Sequence, residues 1–402
     1  MLEYWLWLAH RPGINEHTKV LLLQAFHSPE GVYEAPTSEY DGFPGLTASG
    51  KQALADKSLK PYPAALNRCT GENIQILTYL DEAYPNRLKN IYNPPLVLYY
   101  KGTMPKFDGR PVIGVVGTRR CSAYGSSMAG RLGAEISSCG GLVVSGLAEG
   151  IDAAAMKGAL DAGFPVVGVL GTGADIVYPP SNKSLFAQVE QHGCIVSEFL
   201  PGTPGFRYNF PKRNRIISGM SVGVVVVESP EKSGALRTAR WALDQGRDVY
   251  ALPGNADLPS CAGSNRLLRE GACPILCGWD VVSEYTSQFP DKIHKAECPA
   301  PEQRPACEPV PPPKKREQKP IARKKDIDNG PGGSYIDIKA KLQGLSQQER
   351  AIVSCLTREE KLVDDVIAAT GIPSGLLLRT LTMLELKGIL VRLPGNRIGL
   401  RK

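Results

Sequence analysis

Four short segments concentrate residues that suit a phosphate. The first, Gly117-Thr118-Arg119-Arg120-Cys121-Ser122-Ala123-Tyr124-Gly125, follows an aliphatic run and enters a helix. Small residues let the backbone approach a phosphate, a helix N-terminus favours an anion, and a guanidinium forks onto two oxygens. A capped helix with a surface arginine is the plainer alternative. The second is Ser145-Gly146-Leu147-Ala148-Glu149-Gly150-Ile151-Asp152. The third, Gly171-Thr172-Gly173-Ala174-Asp175, continues into Tyr178-Pro179-Pro180-Ser181-Asn182-Lys183. The fourth, Asn209-Phe210-Pro211-Lys212-Arg213-Asn214-Arg215, sets three cations beside Phe210 and Tyr208. Stacking rings with backbone-neutralising cations suit single-stranded nucleic acid.

Cutting chemistry is harder to find. There is no Gly-x-Gly-x-x-Gly fingerprint, no Gly-x-x-x-x-Gly-Lys-[Ser/Thr] loop and no His-Glu-x-x-His, and the Gly-x-Ser-x-Gly string at Gly219–Gly223 leads into a Val-rich run rather than out of one into a helix, so it is no nucleophile elbow. Glu149, Asp152, Asp175 and Glu228 could act as acids or bases, or could simply hydrogen-bond tight loops. Cys273 and Cys277 lack a second pair to complete a zinc site. The ten cysteines have no regular spacing and suit buried thiols in a reducing cytosol.

The elements that must carry these segments follow from the apolar pattern. Val-rich runs at Val112–Gly117, Leu142–Ser145, Val166–Leu170, Cys194–Ser197, Val222–Glu228 and Asp248–Leu252 alternate with helix-length segments such as Gly125–Cys139, Asp152–Ala162 and Ala235–Gln245. Continuous apolar strands between helices predict an α/β domain, a doubly wound, extended Rossmann-like and mostly parallel sheet. Its ligands bind beyond the carboxyl ends of the strands, where the four segments fall.

At 402 residues the chain exceeds the size of one hydrophobic core, and we divide it into four parts. Residues 1–83 read as small helices around two Pro-Gly elements, Arg11-Pro12-Gly13-Ile14 and Phe43-Pro44-Gly45-Leu46. They suggest a SAM-like or helix-hairpin-helix domain, or ordinary turns between packed helices. Residues 84–290 form the sheet domain, and the fragment Tyr84–Glu284 contains every anion-binding segment. A Pro/Lys-rich linker follows at 291–338, with nine prolines from Pro299 to Pro331 and seven cations from Lys314 to Lys325. Residues 339–402 read as a winged helix: a Ser346/Glu349 capping box, two further helices, and a hairpin around Pro394-Gly395-Asn396. Its third helix carries only Arg379 and Lys387, so a protein contact suits it as well as DNA.

The formal net charge is +7, of which the stretch Lys292–Ser334 contributes a large part with 10 basic and 6 acidic residues. A polyanion site on the folded part must therefore be local. Met1–His10 lacks a basic n-region, and no aliphatic strip approaches the ~20 residues of a membrane span, so a cytoplasmic chain without membrane contact is expected.

These residues together carry a resemblance. Gly117-Thr118-Arg119, Ser145-Gly146-Leu147-Ala148 with Gly150-Ile151-Asp152, and Tyr178-Pro179 with Asn182 resemble the bacterial DNA-processing protein A family (DprA, also called Smf). So do Phe210-Pro211 with Arg213-Asn214-Arg215-Ile216-Ile217-Ser218-Gly219, Ser233-Gly234-Ala235, and Pro253-Gly254-Asn255. The similarity is dense from Tyr84 to about Leu276, and the flanking domains also fit. It implies a non-enzymatic, cytoplasmic protein without a cofactor. Such a protein binds single-stranded DNA, dimerises through its sheet domain, protects incoming DNA and helps load the RecA recombinase during natural transformation. Carried over by motif, the DNA contacts are Gly117, Thr118, Arg119, Asn182, Lys183, Lys212, Arg213 and Arg215. Ser145, Gly146, Tyr178, Phe210 and Asn214 from the same segments complete the expected interface. One position departs: where the family commonly has His, this chain has Met156. The rival readings are a nucleotide-processing enzyme similar to the phosphoribohydrolases and a winged-helix transcription regulator. Pro253-Gly254-Asn255 lacks the second Gly and the Thr of the phosphoribohydrolase signature. The cation-poor third helix speaks against the regulator.

Overall fold

Alternate residues of one strand choose opposite faces, and here both faces are apolar. Ile113 and Val115 enter one core with Ala129, Leu132 and Ile136; Val112 and Val116 enter a second core with Ile216, Ile217 and Met220. A strand buried on both sides needs helices on both sides, and the structure, a computed structural model, supplies them. It describes residues 1–296 and, within 345–400, all but 357–360, 373, 388 and 394–396. From residue 297 onward the expected linker lies outside the described residues. The chain divides into two units, Met1–Ala306 and Cys307–Lys402.

The first unit opens with helices α1 (Leu2–Ala9), α2 (Glu16–Phe26), α3 (Pro29–Glu34), α4 (Ala48–Ala55) and α5 (Pro61–Gly71). Next come β1 (Gln75–Thr78), α6 (Asn86–Lys89), β2 (Val97–Gly102), β3 (Val112–Val116), α7 (Ala123–Ser138), β4 (Leu142–Ser145), α8 (Ile151–Asp161) and β5 (Val166–Leu170). Then follow α9 (Lys183–His192), β6 (Cys194–Ser197), α10 (Asn209–Met220), β7 (Gly223–Val226), α11 (Gly234–Asp244), β8 (Asp248–Ala251), α12 (Ala262–Arg269), β9 (Cys273–Pro274) and α13 (Gly278–Val282). The strands form one nine-stranded sheet in the order β1-β2-β6-β5-β4-β3-β7-β8-β9. The pairs from β6 to β9 are parallel; β2 lies antiparallel to both β6 and β1. The chain winds from β3 outward through β4 and β5 to β6, then returns to β7 on the other side of β3. The crevice at the carboxyl ends of β3 and β7 is thus the switch point of the sheet.

All six strands expected from the Val-rich runs are present. Two features differ from the sequence reading. The sheet begins at Gln75, ahead of the expected boundary at Tyr84, because β1 pairs with β2 in register Ile76 to Tyr99. The N-terminal helices also share a core with the sheet: Trp5, Trp7, Leu8 and Tyr62 pack with Leu96, Val97 and Tyr99. The two Pro-Gly turns serve that packing. Gly13 and Gly45 both take φ near +73°, and their carbonyls accept from Thr47 and Thr18 respectively.

One buried group on this seam makes stability depend on pH. His10 Nε2 lies 2.9 Å from Tyr99 Oη. Burial first, then Lys19 and Lys212, pushes its imidazole down to about 3. The folded chain keeps His10 neutral, whereas the unfolded chain takes up a proton below ~6.5. Stability should therefore be complete above that value and fall as the pH drops toward 3. Between pH 7 and 5 we expect a loss of about 2 kcal/mol. Denaturant melts of wild type and His10→Gln across that range check it; an unchanged slope in the variant excludes His10 as the source.

The second unit contains α14 (Gln347–Cys355), β10 (Lys361–Leu362), α15 (Val363–Thr370), α16 (Ser374–Leu386), β11 (Leu390–Leu393) and β12 (Arg397–Leu400). Its three strands run β10-β12-β11, all antiparallel, with Ile352, Val366, Leu377, Leu384 and Ile398 in the core. The expected capping box is formed, with Ser346 N donating to Glu349 at 2.8 Å and Glu349 N donating to Ser346 Oγ at 3.3 Å. Lys387, one of the two cations expected on the third helix, pairs with Glu349 at 2.6 Å.

Candidate nucleic-acid interface

An open groove of about 1170 Å³ lies at the switch point, and a smaller cavity of about 200 Å³ opens beside it. Both share Arg119, Ala148, Tyr178, Phe210 and Arg213. One wall is α10. A helix turns about 100° per residue, so positions i, i+3, i+4 and i+7 share a face. Phe210, Arg213, Asn214 and Ile217 occupy that face and line the groove. Lys212 and Arg215 point to the opposite side.

That geometry splits the expected basic patch. Arg215 is buried and pairs with Glu198 at 2.6 Å. Lys212 lies between Glu16, at 3.4 Å, and Glu198, at 3.5 Å. Arg215, buried against its carboxylate, is a structural charge rather than a DNA contact, whereas Lys212 keeps its side chain 45% exposed on the side of α10 away from the groove lining. Arg213 faces the site but forms its floor. Its guanidinium donates to the Gly146 carbonyl at 2.8 Å and to the Val169 carbonyl, tying together the ends of β4 and β5. Burial draws it down to about 10, still charged at neutral pH, and its Nε lacks a partner.

The glycine-rich turns are likewise held from inside. Gly146 N donates to Asp152 at 3.1 Å, and burial lifts that carboxyl above the usual range against the pull of Arg213. A Cβ on Gly146 would strike both side chains. Ser145 is fully buried and donates to the Val115 carbonyl at 2.6 Å, so it also leaves the list of DNA contacts. Asn182 Nδ2 donates to the Leu147 carbonyl at 2.9 Å, joining the second and third turns. Lys183 is exposed at the start of α9 and is not among the residues that line the groove. Met156 is core.

The first turn holds the main correction. The N-terminus of α7, expected to receive a phosphate, is occupied by Glu228. This buried carboxylate at the end of β7 accepts from Ser122 N at 3.1 Å and from Ser122 Oγ at 2.7 Å. A second anion there would meet a negative charge at close range. Gly117 is small for packing, since a Cβ would press on Ile151. Thr118 N donates to the Glu228 carbonyl at 2.7 Å. Arg119 alone of this trio projects freely, exposed, with its guanidinium carbon 5.4 Å from the Phe210 ring centre. The other candidate acids have structural partners too: Glu149 accepts from Ser181 at 2.6 Å, and Asp175 pairs with Arg68 at 2.5 Å.

What lines the groove is basic and aromatic. The groove is lined by Arg119, Arg120, Arg207, Arg213, Lys232, Arg237, Arg240 and Arg266, against the carboxylates Asp152, Glu231 and Glu270. Charges of one sign in a cleft with low-dielectric walls focus the field on a polyanion. Tyr178 and Phe210 meet at 5.1 Å and 32° where groove and cavity join. Arg120, Arg207, Lys232, Arg237, Arg240 and Arg266 were not singled out from the sequence. Arg237 and Arg240, one helical turn apart after the switch-point strand, carried the signal that could have found those two.

The family model described as DNA recombination-mediator protein A matches residues 75–286, and that of the DprA winged helix domain matches residues 339–396. The chain is 38% identical to Protein Smf of Synechocystis sp., over 68% of this chain and 70% of that one. It is 40% identical to DNA processing protein DprA of Bacillus subtilis, over 55% and 75% of the two chains. The solved structure of DNA processing protein A from Streptococcus pneumoniae superposes with a TM-score of 0.63 at 31% identity, covering 71% of this chain and 98% of that one.

Proposed function

The chain belongs to the DNA recombination-mediator protein A family, and from that premise we propose that its groove holds single-stranded DNA for recombination. The carrying observation is the groove itself, eight cations against three carboxylates, with a Tyr178–Phe210 wall where the cavity opens. Cations neutralise a backbone of either form of DNA, but a ring pair offers a stacking face only to an unpaired base. Within the same reading, the protein shields incoming single strands during transformation and hands them to the RecA recombinase in the cytoplasm, working as a homodimer.

The protein acts by binding and release, without turnover. Support comes from the carboxylates, each engaged by neighbouring donors, and from Glu228, which fills the position where a nucleotide phosphate would rest. The Pro253–Asn255 turn is closed as well, with Gly254 N donating to Asn265 at 3.0 Å and Gly254 O accepting from Asn265 at 3.1 Å. Among the described residues no helix is long and apolar enough to cross a membrane.

Binding of matched single- and double-stranded oligonucleotides across a salt series tests the proposal. Single strands should bind tighter at every salt, with log affinity falling against log salt by about 0.7 per phosphate neutralised. Equal affinity for the duplex, or release of base or phosphate from nucleotides, would remove this reading.

A further inference from the structure

Two further aromatic rings stand beside the site without a structural reason to be there. The loop from β6 to α10 is firmly held: Gly202 N donates to Asp175 at 2.8 Å, and the Thr203 carbonyl accepts from Gly173 N at 2.9 Å. Its last residues nevertheless place Phe206 and Tyr208 in solvent, 44% and 70% exposed. Their rings lie parallel, 5.3 Å apart with 6° between planes. Single exposed apolar side chains are ordinary, but a preassembled stack of two is not explained by that rule. The pair is continuous with the groove. Gly205 lies against the Tyr178 and Phe210 rings, at 3.2 and 3.4 Å from where a Cβ would sit, and Arg207 between the two exposed rings lines the groove.

We propose that Phe206 and Tyr208 form a second stacking station, which takes an unpaired base of the same strand beyond the one at Phe210. Arg207 then holds the phosphate that links the two bases. This rests on the single-strand reading of the groove and extends it. The occupant is nucleic acid rather than an apolar protein face, because the surface around the rings is strongly cationic. It is unpaired because a paired base shows only its edges. Tyr208, the more exposed ring, offers its outer face, while Phe206 backs it and keeps it flat.

The test uses the full chain, fluorescence anisotropy and thymidine oligonucleotides of 3 to 20 nucleotides, each with an abasic counterpart of equal charge. Tyr208→Ala should weaken binding of long oligonucleotides roughly tenfold. It should leave the shortest ones and the abasic strands almost unchanged. Tyr208→Phe should behave as wild type, since the ring and not the hydroxyl does the work. Tyr208 makes no side-chain cap to α10, so the fold should survive, and thermal melting verifies it. Unchanged affinity of Tyr208→Ala at every length overturns the station while leaving the groove intact. An equal loss on abasic strands overturns stacking in favour of a backbone contact. Failure of wild type to bind any single strand removes the groove and the station together.

Discussion

Arg215→Ala should cost the fold on the order of 3–5 kcal/mol, the penalty of leaving one buried charge without its partner. A whole domain is stable by only about 5–15 kcal/mol, so the variant should show a large fall in melting temperature and poor yield. The pair is short and buried: Arg215 Nη2 reaches Glu198 at 2.6 Å, and both side chains are 4% exposed, with Arg215 Nη1 and Glu198 Oε1 left without hydrogen-bond partners. Lys212 at 3.5 Å stays behind to neutralise part of Glu198, which favours the lower end of the range. Removing both charges together should be far milder than removing either. Arg215→Met with Glu198→Leu should recover most of the loss, because apolar side chains of similar volume avoid desolvation altogether. Denaturant unfolding of the two single variants and the double variant measures the coupling directly. DNA affinity of whatever Arg215→Ala remains folded should match wild type. A stable Arg215→Ala that no longer binds would return this arginine to the DNA face.

That contrast shows where sequence reading reached its limit. The parallel strands were legible because burial on both faces leaves runs such as Val112–Val116 with no polar position at all. The winged helix was legible from local chemistry, a capping box and a hairpin turn, which require no distant partner. Helix α10 was not. Its cations sit on both sides, Pro211 lies in its first turn, and its second half, Ile216 to Met220, is buried all round. No polar stripe marks it, so it reads as a basic loop. What sorts Arg213 from Arg215 is the position of Asp152 and Glu198, and that is a property of the folded chain. Glu228 is the extreme case, since its partner Ser122 lies 106 residues away.

The boundary at Tyr84 failed for a related reason. Tyr84 is fully buried, with its hydroxyl donating to the Pro95 carbonyl at 2.7 Å. A fragment beginning there lacks β1 and the helices that cover Val97 and Tyr99. It also lacks Glu16, which faces Lys212 on the back of α10. The helices at the start of the chain thus brace α10, one wall of the groove, from behind. The apolar pattern changes only near Arg110, the boundary at Tyr84 rests on the resemblance, and a shared core has no compositional edge. A binding fragment should retain the whole N-terminal region.

Arg119→Ala should do the opposite of Arg215→Ala, leaving the fold intact and disarming the groove. Arg119 is exposed, and among the described residues no carboxylate pairs with it, so its removal strands no buried charge. It stands over Phe210 at 5.4 Å, at the point shared by groove and cavity, where a strand stacked on that ring must pass. Loss of one charge-assisted bond of this class should weaken single-strand binding by about 1.5–3 kcal/mol. Arg119→Lys should recover only part, because an ammonium is a point charge that neither forks onto two phosphate oxygens nor stacks on a ring. The salt dependence should separate the two effects. Arg119→Ala should flatten the slope by roughly 0.7, one phosphate of a single strand, whereas Arg119→Lys should keep it and lose affinity alone. Anisotropy titrations at several salt concentrations, with melting as the control, give both quantities. Wild-type affinity in a well-folded Arg119→Ala would place the strand elsewhere than on this edge of the sheet.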